Sequence, residues 1–148
     1  MTFSELNLVG VAIAFVVSFI SGGIWFGPKT FYPIWMKARG IESGQLTRQQ
    51  NKPAVLFGGT ILGIIAQTLT LALAISSLQA GNSEFSVLDG ALVGAALGVG
   101  IAAFASLSHR IFGQPDGKVY RSLKVWLIEV GQDVLCVTIA GAILGAWA

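Results

Sequence analysis

The stretch LKVWLIEVGQDVLCVTIAGAILGAW, residues Leu123–Trp147, decides how this chain folds. As a helix it is long enough to cross the roughly 30 Å hydrocarbon core of a bilayer. Glu129, Gln132 and Asp133 interrupt a run that otherwise consists mainly of aliphatic residues and glycine. An acid near the bilayer centre costs on the order of 3 kcal/mol, so such residues normally face a protein interior, a water-filled cavity or a partner.

The composition indicates a membrane protein. Of the 148 residues, 54% are hydrophobic and 11% are charged, whereas a soluble domain averages about 25% charged residues. The chain holds one histidine, His109, and one cysteine, Cys136. A single cysteine excludes an internal disulfide, and the two residues form no cluster with zinc or haem spacing. We therefore expect no metal and no cofactor, and Cys136 suits a small packing residue in the last helix.

Four apolar runs are long enough to be transmembrane helices. They cover residues 6–26, 54–78, 87–107 and 123–147, and short connections join them. The first run is predicted to be a retained helix, because residues 1–5 carry no Lys or Arg and no small-residue cleavage site follows. The sequence thus predicts an all-α membrane protein, a four-transmembrane-helix bundle that forms a single domain over residues 1–148.

Aromatic residues mark the expected membrane interfaces. Phe31, Tyr32 and Trp35 follow the first span and have basic neighbours, so we expect a short interfacial helix there. The full set of expected interfacial anchors is Trp25, Phe31, Tyr32, Trp35, Trp126 and Trp147. Residues 42–51 are polar and predict a loop with a helical turn, and residues 108–122 also predict a loop. The bilayer surface accounts for these basic residues, so we expect no nucleic-acid partner.

The basic residues predict the orientation of the bundle. The first connection contains five of them, and the third connection with the start of the fourth span contains the other four: Lys29, Lys37, Arg39, Arg48 and Lys52, then Arg110, Lys118, Arg121 and Lys124. All nine therefore lie on one side. The positive-inside rule places both connections in the cytoplasm and both termini on the extracytoplasmic side, which suits a multi-pass protein of a bacterial cytoplasmic (inner) membrane.

The acids of the fourth span share one helix face. Glu129 and Asp133 are four residues apart with Gln132 beside them, and Trp126, Cys136 and Ala140 extend this face. At 1.5 Å per residue, Glu129 lies about 7 Å and Asp133 about 13 Å beyond Lys124. The polar stripe is therefore expected to open towards the cytoplasm and to end near mid-bilayer.

Two ionised acids this close repel each other in a medium of low dielectric constant. At least one is expected to be protonated or paired with a cation, for which the same membrane face offers His109, Arg110, Arg121 and Lys124. One interpretation is a proton- or cation-linked site, or the floor of a polar pocket. The other is a neutral acid that is hydrogen-bonded to Gln67 or to a neighbouring helix and fixes the register of the bundle.

Small residues recur at four-residue spacing. Gly98-Val99-Gly100 matches the first half of a nucleotide-binding fingerprint, but it lies within a helix, and that interpretation is rejected. Glycines at this spacing instead let helix backbones approach closely: Gly59 and Gly63; Gly90, Gly94 and Gly98; Gly141 and Gly145. Some of these faces suit a homo-oligomer. No catalytic triad, nucleophile elbow or paired-His motif occurs, so enzymatic activity is not expected.

Two stretches resemble one family of small bacterial membrane proteins. They are Gly22-Gly23-Ile24-Trp25-Phe26-Gly27-Pro28, followed by Phe31 and Trp35-Met36, and Gly131-Gln132-Asp133, followed by residues 141–147. The family is domain-of-unknown-function family seventeen sixty-one, and the resemblance implies four spans and no known activity. Where the family pattern implies Asn and Tyr around the glycine of the last helix, this chain has Glu129 and Gln132. A role shared with the family would therefore depend on Asp133.

Two classes of function are compatible with these patterns. The first is an accessory or structural subunit, or a homo-oligomeric membrane module, and the short chain slightly favours it because an alternating-access machine needs more helices. The alternative is a small transporter that uses the acidic stripe of the fourth helix for a proton or a cation. In either class the lipid bilayer is a partner, together with further copies of the chain or a larger membrane complex.

Overall fold

In the computed structural model the chain is a bundle of helices, and the structure describes residues 6–41, 53–112 and 118–147. The helices are α1 (Leu8–Trp25), α2 (Tyr32–Arg39), α3 (Pro53–Ala80), α4 (Val87–Leu97), α5 (Phe104–Phe112) and α6 (Val119–Gly145). A π-helical segment, Gly98–Ala103, joins α4 to α5. There is no strand in the described ranges.

Four helices are long and apolar enough to cross a membrane: Leu8–Trp25, Phe57–Ala80, Val87–Phe112 and Val119–Gly145. The prediction of an all-helical protein with four membrane-length helices is therefore confirmed. Residues 42–51, for which we expected a loop with a helical turn, lie outside the described residues. The single domain over residues 1–148 stays a prediction.

The predicted loop over residues 108–122 was too long. The third membrane-length helix, which begins at Val87, continues to Phe112, and α6 already begins at Val119. The prediction took the end of the apolar run, near residue 107, as the end of the helix. Helical hydrogen bonds do not require apolar side chains, so the helix can continue into polar sequence. After the π segment the sequence offers no glycine or proline before Gly113, and such residues are the usual helix terminators.

Side-chain caps fix two of the helix starts. The Oδ1 of Asn7 accepts hydrogen bonds from the backbone N–H groups of Val9 and Gly10, both at 3.1 Å. Ser86 and Asp89 form a reciprocal capping box at the start of α4. Such caps satisfy N–H groups that have no partner inside the helix. They explain why α1 begins at Leu8 and α4 at Val87.

The central helix is α6, which packs against α1, α2, α3, α4 and α5. Its contact with α4 and with the start of the π-helical segment depends on glycine. A Cβ on Gly98 would lie 3.1 Å from the Cα of Val134, and a Cβ on Gly90 or Gly94 would meet the backbone of α6 directly. Only residues without a side chain allow this approach, so the spacing of the glycines determines how α4 and α6 pack.

The two halves of α3 differ in their packing. Its second half is buried against α1 and α6 through Thr68, Leu71, Ala72 and Ile75. In its first half, residues 57–63 are all exposed, and nothing lies within 4 Å of a Cβ built on Gly58, Gly59 or Gly63. The first half of α3 therefore stands away from the bundle and leaves a space between α1, α3 and α6.

Candidate functional site

The space between α1, α3 and α6 is a cavity of about 510 Å³. Its polar lining comes from all three helices: Ser18 on α1; Thr60, Gln67 and Thr68 on α3; Gln132, Asp133 and Cys136 on α6. Its apolar lining includes Phe19, Phe26, Phe57, Ile64 and Leu71. The end of α1 and the start of α3 contribute to the lining of the cavity. The cavity therefore lies in the half of the bundle where the first connection leads from α1 to α3.

The acid of the cavity is Asp133. It is 14 residues beyond Val119, about 21 Å along the axis at 1.5 Å per residue, and so lies near the middle of α6. Among the described residues, no hydrogen bond or ion pair is made by its carboxylate. Asp133 is thus a half-buried acid beside a cavity without a cationic side chain opposite it.

Gln132 and Cys136 connect the cavity wall to α1. The Nε2 of Gln132 donates to the Sγ of Cys136 at 3.3 Å. The Oγ of Ser18 donates to the carbonyl oxygen of Cys136, and the Sγ of Cys136 donates to the carbonyl oxygen of Ser18, each at 3.5 Å. These contacts hold α1 against α6 at residues that line the cavity together with Asp133.

Two glycines make room for side chains across the same contact. A Cβ on Gly22 would lie 3.0 Å from the Nε2 of Gln132. A Cβ on Gly131 would lie 3.1 Å from the Cζ2 of Trp25. The Nε1 of Trp25 donates to the carbonyl oxygen of Ile128 at 3.0 Å, so the indole is both packed and hydrogen-bonded. The end of α1 is therefore fixed on α6 within one turn of Asp133.

Glu129 has different surroundings from Asp133, although one helical turn separates them. Its Oε1 accepts a hydrogen bond from the Nε1 of Trp35 at 2.9 Å, and its Oε2 forms an ion pair with the guanidinium of Arg110. We call Trp35, Arg110 and Glu129 the Glu129 cluster. It joins α2, α5 and α6 and does not line the cavity. Both oxygens of Glu129 are used in structural contacts, which separates it from the candidate site.

The other predicted charge partners lie elsewhere. Arg121 is directed to α2, where its Nη2 donates to the carbonyl oxygen of Lys37 at 3.4 Å. His109 on α5 and Lys124 on α6 are exposed. Of the four cations considered from the sequence, Arg110 is the one placed against an acid of α6 in the described part of the chain.

Three of the tryptophans expected at the interfaces bond within the protein. Besides Trp25 and Trp35, Trp126 donates through its Nε1 to the Oγ of Ser106 at 3.0 Å and to the carbonyl oxygen of Ala103 at 3.3 Å. The ring of Phe31 stacks on Trp25 and that of Tyr32 on Trp35. Trp147 is partly exposed beside Gly10.

The glycine pairs fall into two groups. Gly90, Gly94, Gly98, Gly141 and Gly145 lie where α6 packs against α4 and the start of the π-helical segment. Gly59 and Gly63 belong to the half of α3 that stands away from the bundle, and a Cβ on either would meet nothing within 4 Å. One regular spacing thus occurs both in a packed helix face and in an unpacked one.

The sequence placed Gln67 of α3 with the acids of the polar site, but it did not indicate the other residues that α1 and α3 contribute to the cavity. Thr60, Ile64, Gln67, Thr68 and Leu71 follow the spacing of a single helix face. This polar face within an apolar helix was a usable signal. No local pattern distinguished Phe19, Phe26 and Phe57 from the other apolar residues of their helices, because membrane helices are apolar on every side.

Comparison with known proteins identifies the family. A family model described as "Protein of unknown function (DUF1761)" matches residues 9–145. The chain belongs to the DUF1761 family. The resemblance seen in the sequence is thereby confirmed. No curated protein and no solved structure matches the chain.

The two stretches that resemble DUF1761 meet in the structure. Gly22 and Trp25 of the first stretch contact Gln132 and Gly131 of the second. Asp133, the acid that matches the family pattern, lines the cavity beside this contact. Glu129, which departs from the pattern, belongs to the Glu129 cluster. The residues of the resemblance therefore build the wall of the candidate site.

Proposed function

We propose that this DUF1761 protein is a small membrane transporter or permeation module, in which Asp133 binds a cation or a proton inside the cavity. The observation that carries the proposal is the carboxylate of Asp133, which faces a cavity of about 510 Å³ and has no cationic partner among the described residues. Intramembrane acids are costly and are by default candidates for function. The proposal includes no enzymatic step and no cofactor.

The sequence slightly favoured an accessory or structural role, because four short helices leave little room for transport. The cavity favours the transport function instead. One chain already supplies polar groups from three helices around a single acid. If Asp133 served only to fix the register of the bundle, it would be expected to bond to a neighbouring helix, yet the described residues provide it with no such bond.

The proposed orientation has the cavity in the cytoplasmic half of a bacterial inner membrane. All nine basic residues lie in the first connection, in the third connection or next to them, and the positive-inside rule assigns that side to the cytoplasm. The cavity is adjacent to the first connection, since it lies beside the end of α1 and the start of α3. Both termini are then extracytoplasmic, and α2 lies at the cytoplasmic interface with Lys37 and Arg39 in its last turn.

Flux through reconstituted vesicles tests the proposal. The full chain is placed in proteoliposomes that contain a pH-sensitive dye or a dye selective for potassium or sodium, and a gradient of the corresponding ion is imposed. We expect a flux in the wild type that falls at least tenfold in Asp133→Asn. The control is Glu84→Gln, which removes a carboxylate from an exposed turn that does not line the cavity. A wild type without flux, or equal fluxes in wild type and Asp133→Asn, contradicts the proposal.

A second candidate is a homo-oligomeric module or an accessory subunit. The exposed first half of α3 favours it, because Gly58, Gly59 and Gly63 leave a helix face where another backbone could approach. Native mass spectrometry of the chain in mild detergent distinguishes the possibilities. A Cβ built on Gly59 meets nothing within 4 Å, so we expect Gly59→Leu to leave the monomer folded and to abolish any oligomer formed through this face. An oligomer that persists in Gly59→Leu excludes that face.

A further inference from the structure

We propose that the ligand of the cavity is a lipophilic organic cation, held by the Asp133 carboxylate and by the faces of aromatic rings. This inference rests on the proposed function, because it concerns the same cavity, and it deepens that function by naming a class of ligand.

The charge of the lining favours a cation. Asp133 is the one carboxylate among the lining residues, all of which belong to the described part of the chain, and that lining includes no Lys, Arg or His. A cation in the cavity would therefore meet an acid without a competing positive side chain. An anion would meet the same acid without compensation, and its entry would be unfavourable in surroundings of low dielectric constant.

The rings favour an organic cation over a metal ion. Phe19 from α1, Phe26 directly after α1 and Phe57 from α3 line the cavity together with the polar groups of α6. The face of an aromatic ring attracts ammonium-type cations, and the attraction grows as the cation loses water. Hard metal ions instead require six to eight oxygen ligands, or an octahedral set that keeps several waters. The lining offers one carboxylate, the carboxamides of Gln67 and Gln132 and the hydroxyl groups of Ser18, Thr60 and Thr68. A single carboxylate would compensate only half of the charge of a divalent ion, whereas it matches the single charge of an organic cation.

The volume favours a ligand larger than a single ion. The cavity holds about 510 Å³, which is within the range of roughly 300–1,000 Å³ found for sites that bind drug-sized molecules. Its rim carries exposed apolar side chains, with Phe19 at 41% and Phe57 at 63% of their possible exposure. Since α3 stands away from the bundle at Phe57, an amphiphilic molecule could reach Asp133 while its apolar part contacts these rings.

Binding of tetraphenylphosphonium to the purified full chain in detergent tests the inference. Tetraphenylborate is the matched control, because it has nearly the same shape and the opposite charge. In separate titrations by isothermal titration calorimetry, we expect one tetraphenylphosphonium to bind per chain and tetraphenylborate not to bind in the cavity. This comparison uses the wild type alone, so it does not depend on the folding of any variant.

Variants assign the binding to the cavity. Asp133→Asn should weaken tetraphenylphosphonium binding at least tenfold, and Glu84→Gln should leave it unchanged. Phe57→Leu keeps apolar bulk and removes the ring, so the affinity should fall between about twofold and thirtyfold, as expected for a lost cation–π contact. Phe26→Leu should act in the same direction. A melting curve of each variant shows whether it is folded.

The possible failures are distinguishable. Equal binding of both probes, or binding that Asp133→Asn leaves unchanged, overturns the organic-cation inference. If tetraphenylphosphonium does not bind while an ion flux still depends on Asp133, the inference fails and the proposed function stands. If neither binding nor flux depends on Asp133, both are wrong.

Discussion

The indole Nε1 of Trp25 donates a hydrogen bond to the carbonyl oxygen of Ile128 at a distance of 3.0 Å. Ile128 lies inside α6, so its carbonyl group already belongs to a helix, and the indole approaches it from the side. Gly131, three residues further along, permits this approach because a side chain there would meet the ring. Trp25 thereby anchors the end of α1 close to the candidate site.

Replacing Gly131 by Val should destabilise the protein. A Cβ at this position would lie 3.1 Å from the Cζ2 of Trp25, and the branched side chain would need still more room. We expect a loss of about 1–3 kcal/mol, as for other overpacked sites. Thermal unfolding in detergent measures it, with a thiol-reactive dye that labels the buried Cys136 on unfolding. Gly58→Val is the control, because a Cβ there meets nothing within 4 Å.

Replacing Gly94 by Ala should be more damaging than the same change at Gly63. At Gly94 the new methyl group would meet the backbone of Val137, which cannot rotate away as a side chain can. At Gly63 it would meet nothing within 4 Å. We expect Gly94→Ala to cost about 3 kcal/mol and Gly63→Ala to be neutral or slightly stabilising, because alanine favours helix by about 1 kcal/mol over glycine. Equal melting temperatures would contradict the α4–α6 packing.

The ion pair between Arg110 and Glu129 should contribute little to stability. Their side chains are 38% and 25% exposed, and solvent screens pairs of this kind to about 0.2–1 kcal/mol. A double-mutant cycle with Arg110→Gln and Glu129→Gln measures the coupling, which should decrease further in 0.5 M salt. A coupling of several kcal/mol would show that the pair is shielded from solvent much more than its exposure indicates.

Cys136 should react slowly with alkylating reagents, and a ligand in the cavity should slow it further. The residue lines the cavity but is only 5% exposed, and its Sγ contacts Ser18 and Gln132. We expect N-ethylmaleimide to label the native chain at least tenfold more slowly than Gly63→Cys in a Cys136→Ala background. Intact-mass spectrometry over time measures both rates. Rapid labelling of native Cys136 would mean that α1 separates readily from α6.

Much of the fold could be predicted because the bilayer imposes a length on its helices. The predicted spans 6–26 and 54–78 have bounds that lie within two residues of the ends of α1 and α3. In both places the apolar run and the helix cover nearly the same residues. The ends at Phe112 and Val119 could not be predicted in this way, because both lie in polar sequence beyond the apolar core. There helix formation and hydropathy diverge.

The candidate site was predicted in part. The spacing of Glu129, Gln132 and Asp133 placed them on one face, but spacing alone could not assign their neighbours. Arg110 and Trp35, which separate Glu129 from Asp133, come from two other helices. The cavity itself exists because the first half of α3 stands away from α1 and α6, and this depends on how whole helices pack together.

The π-helical segment Gly98–Ala103 determines which faces α4 and α5 present within the membrane-length helix Val87–Phe112. In a regular α-helix each residue turns the chain by about 100°, so Arg110, 20 residues after Gly90, would lie about 200° around the axis from it. A π turn accommodates one additional residue and reduces this angle to about 100°. One continuous helix can therefore place glycines against α6 at one end and bring Ser106 and Arg110 to Trp126 and Glu129 at the other.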